Sequence, residues 1–130
     1  FVSAVLKVAT TDATQTTLLD GRANNYVIPA DTSWAFSALV IARSDETDGN
    51  EQAAWEIKGL LGRDESSNTA MVGGLVKTEI AKSTNASSGG WDVTVEADDT
   101  NEALAVKVTG EAGTNIRWVA KVDISQVTYA

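Results

Sequence analysis

The feature that most constrains this chain is a strict alternation of apolar and polar side chains in its last third. From Trp91 to Asp98 the odd-numbered side chains are apolar, and the even-numbered ones are Asp, Thr or Glu. Successive side chains of a strand point to opposite faces, so this period of two predicts a β-strand with one buried and one wet face. A helix would repeat every ~3.6 residues.

The alternation continues along the rest of the chain. It returns from Leu104 to Val108, after the turn-forming residues Asp98–Asn101, which predicts a hairpin. It resumes from Ile116 to Ile124 after a link that contains two glycines, Gly110–Gly113. We therefore expect three successive antiparallel strands in this part of the chain.

The first two thirds predict further, less regular strands. The Glu51–Leu61 segment also has helical spacing, but Gly59 and Gly62 favour a strand. Tyr26–Ile28 precedes Pro29, which marks an edge or a loop. A glycine pair predicts a bulge in the strand Met71–Ile80. The Ser- and Gly-rich stretch after that strand predicts a flexible loop. In order, the strands and the loop are Ala4–Ala9, Thr16–Leu19, Trp34–Arg43, Ala54–Leu61, Met71–Ile80 and the loop Ser83–Gly90.

Together these segments predict an all-β fold, an antiparallel β-sandwich of jelly-roll type with about eight or nine strands. A length of 130 residues suits one domain, residues 1–130, with residues 1–30 as a looser lead-in to a core at residues 31–127. The chain begins at Phe1 without an initiator Met, so we expect it to be part of a longer polypeptide.

Composition excludes several classes of function. The chain has no Cys and no His, so it holds neither a thiolate zinc site nor a His-dependent catalytic triad. A net charge of −8 argues against nucleic-acid binding, which needs clustered Lys and Arg. The apolar run at residues 38–42 is far shorter than the ~20 residues that span a bilayer.

Acidic residues are the remaining candidates for chemistry. Glu96 and Asp98 share one strand face at a spacing found in inverting glycosidases, but nothing apolar beside them would raise one pKa. We therefore expect no enzyme activity. Two loops carry oxygen ligands of the kind that Ca²⁺ takes, but neither has an EF-hand register, so we predict no metal and no cofactor. These loop residues are Asp45, Asp48, Asn50, Glu51, Asp98, Asp99, Asn101 and Glu102.

Exposed aromatic rings would suggest a sugar-binding platform. Trp34, Trp91 and Trp118 share the phase of apolar neighbours, which places them in the core. Tyr26 and Tyr129 are freer candidates, because one lies beside a loop and the other lies near the end of the chain.

Four apolar side chains occupy strand positions that the alternation predicts to face solvent, namely Leu39, Ile41, Leu60 and Val119. Two explanations remain open. A loop or the Tyr26–Ile28 segment folds over them, or they form an interface between subunits, since an apolar patch rarely stays exposed. On the second explanation the chain is a homotrimer that buries Leu39, Ile41 and Val119.

A set of strings in a fixed order resembles a β-sandwich module of tail fibres and other virion proteins of tailed bacteriophages. The strings are Trp34–Arg43, Ala54–Gly59, Met71–Gly74, Trp91–Asn101, Leu104–Gly110 and Ile116–Val122. The resemblance covers about residues 31–127. It implies a structural or adhesive part of a virus particle, often trimeric, that contacts other virion proteins and acts outside the cell. It transfers no binding residues.

On this resemblance, we predict a non-enzymatic virion module of a tail fibre or tail-associated protein, with a role in host attachment. Three alternatives stay open: a carbohydrate-binding module that contacts a host glycan, a capsid decoration protein, and a subunit of an extracellular filament. In the carbohydrate-binding case the site would lie in loops Asp45–Glu51 and Ser83–Gly90 or at the Tyr residues.

Overall fold

A computed structural model describes residues 2–19 and 25–129, and its backbone is almost entirely extended. The described residues form ten strands and one short helix. In chain order these are β1 (Val2–Thr10), β2 (Thr16–Thr17), β3 (Tyr26–Val27), β4 (Thr32–Ser44), β5 (Gln52–Arg63), β6 (Thr69–Met71), β7 (Val76–Lys82), α1 (Thr84–Ser88), β8 (Asp92–Asp98), β9 (Ala103–Thr109) and β10 (Ile116–Thr128).

Two antiparallel sheets stack on each other, which confirms the predicted all-β sandwich. The larger sheet has the order β1-β10-β4-β5, and both β6 and β7 pair with the far side of β5. In the smaller sheet β9 is central, with β8 on one side and the two-residue strands β2 and β3 on the other. Strands β1, β2 and β3, from the first 30 residues, contribute to both sheets.

The core between the sheets is built from the apolar phase of each strand. Burial alternates residue by residue along β4 and along the first nine residues of β10, as a strand with one covered face requires. Trp55, Trp91 and Trp118 are fully buried, and Trp34 is 3% exposed. The predicted core positions of Trp34, Trp91 and Trp118 are therefore confirmed.

Three of these indoles also find a polar partner for their N–H group, as buried Trp usually does. Trp34 donates to Gln126 at 2.7 Å, and Trp91 donates to Glu111 at 3.0 Å. Trp118 donates to the Thr10 hydroxyl at 2.9 Å, which links β10 to the end of β1.

The three successive strands predicted at the end of the chain do form, but only the first two are neighbours in one sheet. β8 and β9 do form a hairpin, with Val95 opposite Val106. β10, however, leaves this sheet and inserts between β1 and β4, with Val119 opposite both Lys7 and Ile41. The link before β10 therefore crosses between the two sheets, which a local pattern does not reveal.

Two further expectations need correction. The segment Met71–Ile80 is not one bulged strand, because Gly73 has φ of +68° and the chain turns between β6 and β7. The Ser83–Gly90 stretch is not a plain loop either, since it contains α1. Ala86 is fully buried in the core, and this packing orders the turn of helix around it.

Candidate assembly surface on the larger sheet

The outer face of the larger sheet carries all four apolar residues that were predicted at solvent-facing strand positions, and three of them lie close together. Ile41 and Val119 are cross-strand neighbours, and Leu39 lies two residues from Ile41 on the same face. Val5, on β1, is a fourth apolar side chain on this face, with Lys121 between it and Leu39. We call Val5, Leu39, Ile41 and Val119 the face patch; they are 54, 46, 54 and 38% exposed.

Nothing among the described residues folds over the face patch. The Tyr26–Ile28 segment belongs to the other side of the molecule, since Tyr26 and Val27 pair with Leu104 and Ala103 in the smaller sheet. Ile28 is fully buried. The explanation that this segment covers the patch is therefore wrong.

Leu60 does not join the face patch. It lies opposite Ala35 on β4, whereas Leu39 is opposite Glu56, four residues away along β5. The backbone N–H of Val72 donates to the Leu60 carbonyl at 2.8 Å, so Leu60 sits beside the edge formed by β6 and β7.

This edge carries a second set of exposed apolar side chains, which sequence analysis missed. Its members are 56, 37, 64 and 53% exposed, and we call them the edge patch: Val72, Leu75, Val76 and Ile80. Sequence analysis interpreted the segment as a single bulged strand, so it did not consider that these four side chains could be exposed together. Four large apolar residues within nine positions were the available signal.

Basic side chains are concentrated around the face patch. Among the residues that the structure describes, the outer face of strands β1, β10, β4 and β5 carries two acids, Glu56 and Asp123, and five basic residues, Lys7, Arg43, Lys58, Arg117 and Lys121. These are five of the ten basic residues and two of the eighteen acidic residues in the whole chain. The face is therefore positive in a protein whose net charge is −8.

The two carboxylates considered for catalysis are engaged separately. Glu96 pairs with Lys107, and Asp98 accepts hydrogen bonds from Thr100 and from the Asn101 backbone and side chain. The Asn101 bonds hold the pKa of Asp98 below its usual range. A general acid requires a carboxyl held in its protonated form, and the hydrogen bonds to Asp98 favour the ionised form instead.

The first acidic loop is used to shape its own turn. Asp45 accepts the backbone N–H of Asp48 at 2.8 Å, and Asp48 accepts that of Asn115 at 2.7 Å. Asn50, at φ of +51°, donates its backbone N–H to the Asp45 carbonyl at 2.9 Å. Glu51 accepts hydrogen bonds from Ser83, the largest cause of its lowered pKa, and from Asn85.

The second acidic loop is tied to β6. Asp99 accepts the backbone N–H of Thr69 at 2.6 Å, and Glu102 accepts the Thr69 hydroxyl. Arg63 lies 3.5 Å from the Glu102 carboxylate. Within residues 2–19 and 25–129, no group of three or more acidic residues is placed to hold a metal ion.

Only one of the two Tyr candidates offers a free ring. Tyr26 packs against Trp34 with ring centroids 5.0 Å apart, and burial raises the pKa of its hydroxyl. Tyr129 is 85% exposed and borders a shallow concavity of about 360 Å³ that Asp31, Asp64 and Asn68 also line.

Comparisons with known proteins add little. No protein-family model matches the chain, and a search of curated proteins found no match. Among solved structures, the tailspike protein of Acinetobacter phage vB_ApiP_P1 aligns with a TM-score of 0.44 and 12% identity. The alignment covers 95% of this chain and 21% of the tailspike chain, so this chain spans about a fifth of that protein's length. A TM-score below 0.5 does not establish a common fold. The described part of the chain has no helix suited to crossing a membrane.

Proposed function

We propose that this chain is a non-enzymatic structural module of a tailed-phage virion, in a tail fibre or tail-associated protein, that works as a homotrimer and contributes to host attachment. The observation that carries the proposal is the face patch. Leu39, Ile41 and Val119 form an exposed apolar surface on a broad, rigid sheet, and such surfaces mark sites of protein association.

The placement in a virion rests on the sequence resemblance. Its six strings fall on the regular parts of the sandwich. They cover most of β4, β8 and β9, about half of β5 and of β10, and the end of β6. The resemblance thus lies mainly on strands, although Met71–Gly74 falls mostly in the turn after β6.

The absence of a catalytic role is also a proposal, and the chemistry of the acidic groups supports it. The pKa values of Asp64 and Asp98 are lowered, chiefly by hydrogen bonds from Asn68 and Asn101. Carboxylates of this kind cap turns. General-acid chemistry needs the opposite, a carboxyl with a raised pKa in an apolar pocket.

Immunogold labelling of intact virions tests the proposal. An antibody raised against the 130-residue chain is applied to particles of the phage that encodes it, with antibody pre-adsorbed on the purified chain as control. Gold on the tail or its fibres supports the proposal. Gold on the head identifies a capsid decoration protein. Labelling that is absent from particles but present on filaments outside them overturns the virion assignment.

A carbohydrate-binding module is the second candidate, because Tyr129 presents an exposed ring beside Asp31, Asp64 and Asn68. An aromatic face with adjacent carboxylate and amide groups can stack on a sugar ring and bind its hydroxyls. A glycan array with the wild-type chain tests this candidate. Binding that is lost in Tyr129→Ala but kept in Val127→Ala, which alters the same concavity, would favour it over a purely structural role.

A further inference from the structure

The larger sheet carries two apolar surfaces rather than one. The face patch lies on β1, β10 and β4, and the edge patch lies on and beside β6 and β7. On β5, between the two surfaces, the outward-facing residues Glu56 and Lys58 form an ion pair at 3.5 Å. This pair lies between Leu39 and Val76, whereas Ile41 is in a row with Ala54 and Ala81. The two patches therefore differ in the strands that carry them.

The symmetry of an assembly determines how many patches it uses. In a two-fold dimer the same patch contacts itself on both copies, so a single apolar surface is enough. In a head-to-tail ring each copy contributes two different surfaces, one to each neighbour. A chain with two unlike apolar patches, on one face and its adjoining edge, is suited to the second arrangement.

The charges around the two patches differ. Lys7, Arg43, Arg117 and Lys121 surround the face patch. Beyond the edge patch, toward the smaller sheet, three acids are 53, 53 and 45% exposed in their side chains: Glu79, Asp92 and Glu96. Each acid is paired with a Lys, so this margin carries both signs in equal number and has no net positive charge that would repel the face patch.

We propose that the face patch of one copy packs against the edge patch of the next copy, and that three copies close a ring through identical head-to-tail contacts. This inference rests on the proposed function, in which the chain assembles with copies of itself. The occupant of each patch is the other patch of a neighbouring copy. Basic side chains around Ile41 then meet, across each contact, the charge-balanced ion pairs near Val76.

The size of the two patches suits such a contact. Eight large apolar side chains, each between 37 and 64% exposed, line the two sides. Together they offer several hundred square ångströms of apolar surface. A stable interface buries about 1,200–2,000 Å² in total, of which a little over half is apolar.

The edge strand gives a second reason for a covering neighbour. Among the described strands β7 pairs only with β5, so it is an edge strand of the larger sheet. Apart from Lys82, every residue of β7 is exposed, including Val76 and Ile80. An exposed edge that carries large apolar side chains is prone to associate with other chains. A neighbouring copy seated on the edge patch protects this edge.

Two matched substitutions test the proposal in the purified 130-residue chain. Ile41→Asp places a charge in the face patch, and Val76→Asp places the same charge in the edge patch. Val27→Asp is the control, because Val27 is 51% exposed on β3 in the other sheet. Circular dichroism verifies that each variant keeps the wild-type fold. Light scattering coupled to size exclusion measures its mass over a range of concentrations.

We expect the wild type and Val27→Asp to have three times the 13.7 kDa chain mass. Each patch variant alone should be monomeric, with its assembly weakened by about 100-fold or more, because a buried, unpaired charge is costly in an interface. Mixing the two patch variants should restore a two-chain species. The intact face patch of the Val76→Asp variant can pack against the intact edge patch of the Ile41→Asp variant. The other two patches each carry an introduced Asp, so they do not associate and the ring stays open.

Other outcomes overturn the inference. If Val76→Asp keeps the wild-type mass while Ile41→Asp is monomeric, the face patch pairs with itself. If the mixture remains monomeric, the contact is not head-to-tail. A monomeric wild type excludes the ring altogether. None of these results decides whether the chain is a virion component, which the labelling experiment tests independently.

Discussion

Trp55 and Trp118 stack on each other in the centre of the sandwich, with ring centroids 5.8 Å apart and ring planes inclined by 19°. Neither ring has any exposed surface. Trp118 also contacts Trp91, at a centroid distance of 6.0 Å and a tilt of 51°. These three indoles join β5 and β10 of the larger sheet to the residue that precedes β8 of the smaller one.

Removing the central ring should destabilise the fold more than any surface change. Trp118→Ala deletes the stack and leaves the Thr10 hydroxyl without its indole partner, so we expect a loss of about 3–5 kcal/mol in the free energy of unfolding. Urea denaturation measures the loss. Val127→Ala, at a site 70% exposed, should change the free energy by less than about 0.5 kcal/mol. A small effect of Trp118→Ala would contradict the packing described here.

Gly110 is a position where a side chain does not fit. A Cβ there would lie 2.6 Å from the Thr10 hydroxyl oxygen and 2.8 Å from the backbone oxygen of Asp12. We expect Gly110→Ala to cost about 1–3 kcal/mol, because the backbone must shift. Gly74→Ala is the control, since nothing lies within 4 Å of its Cβ position. Thermal unfolding of the two variants should separate them, and equal midpoints would show that the close approach at Gly110 is absent.

The ion pair of Lys77 and Asp92 connects β7 of the larger sheet to β8 of the smaller sheet. Lys77 donates to the Asp92 carboxylate at 2.7 Å and to the backbone carbonyl of Val93 at 2.5 Å. Both side chains are more than a third exposed, so we expect a coupling energy of only about 0.2–1 kcal/mol from a double-mutant cycle with Ala. Lys77→Ala should cost more than Asp92→Ala, because it also removes the bond to Val93.

The salt dependence of this coupling provides its control. Raising the ionic strength to about 1 M should reduce the coupling energy, since screening weakens exposed pairs. The Glu56–Lys58 pair lies at 3.5 Å within one strand and should show little coupling at any salt concentration. A Lys77–Asp92 coupling no larger than that of Glu56–Lys58 would show that the pair does not hold the sheets together.

Acid should destabilise the fold through its turn-capping carboxylates. Hydrogen bonds from Asn101 lower the pKa of Asp98 from 3.8, so its folded pKa lies below its unfolded value. Its stabilising contribution is therefore complete above the unfolded pKa and is lost as the pH falls through the folded pKa. In thermal melts between pH 6 and about 2, Asp98→Asn should show a shallower decline than the wild type. An identical pH dependence would contradict the role of Asp98 in this turn.

The sequence alone determined which side of each long strand faces the core. Alternation is a property of the local backbone, so Trp34, Trp91 and Trp118 could be placed in the core without knowledge of strand partners. The same argument identified Leu39, Ile41 and Val119 as outward-facing. A one-residue error of phase would have reversed all these assignments, which is why a consistent apolar phase carries so much information.

Only the tertiary structure decided which strands are neighbours. β10 pairs with β1, more than a hundred residues away along the chain, rather than with β9, because apolar faces on both sheets must be buried together. Ala86 became helical because the core accepts its side chain, although its neighbours are typical of a loop. The edge patch arose from the turn that separates β6 and β7. Alternation is encoded in adjacent residues. Which strands pair, which strand lies at an edge and which surface is covered depend on contacts between residues that are distant in the chain.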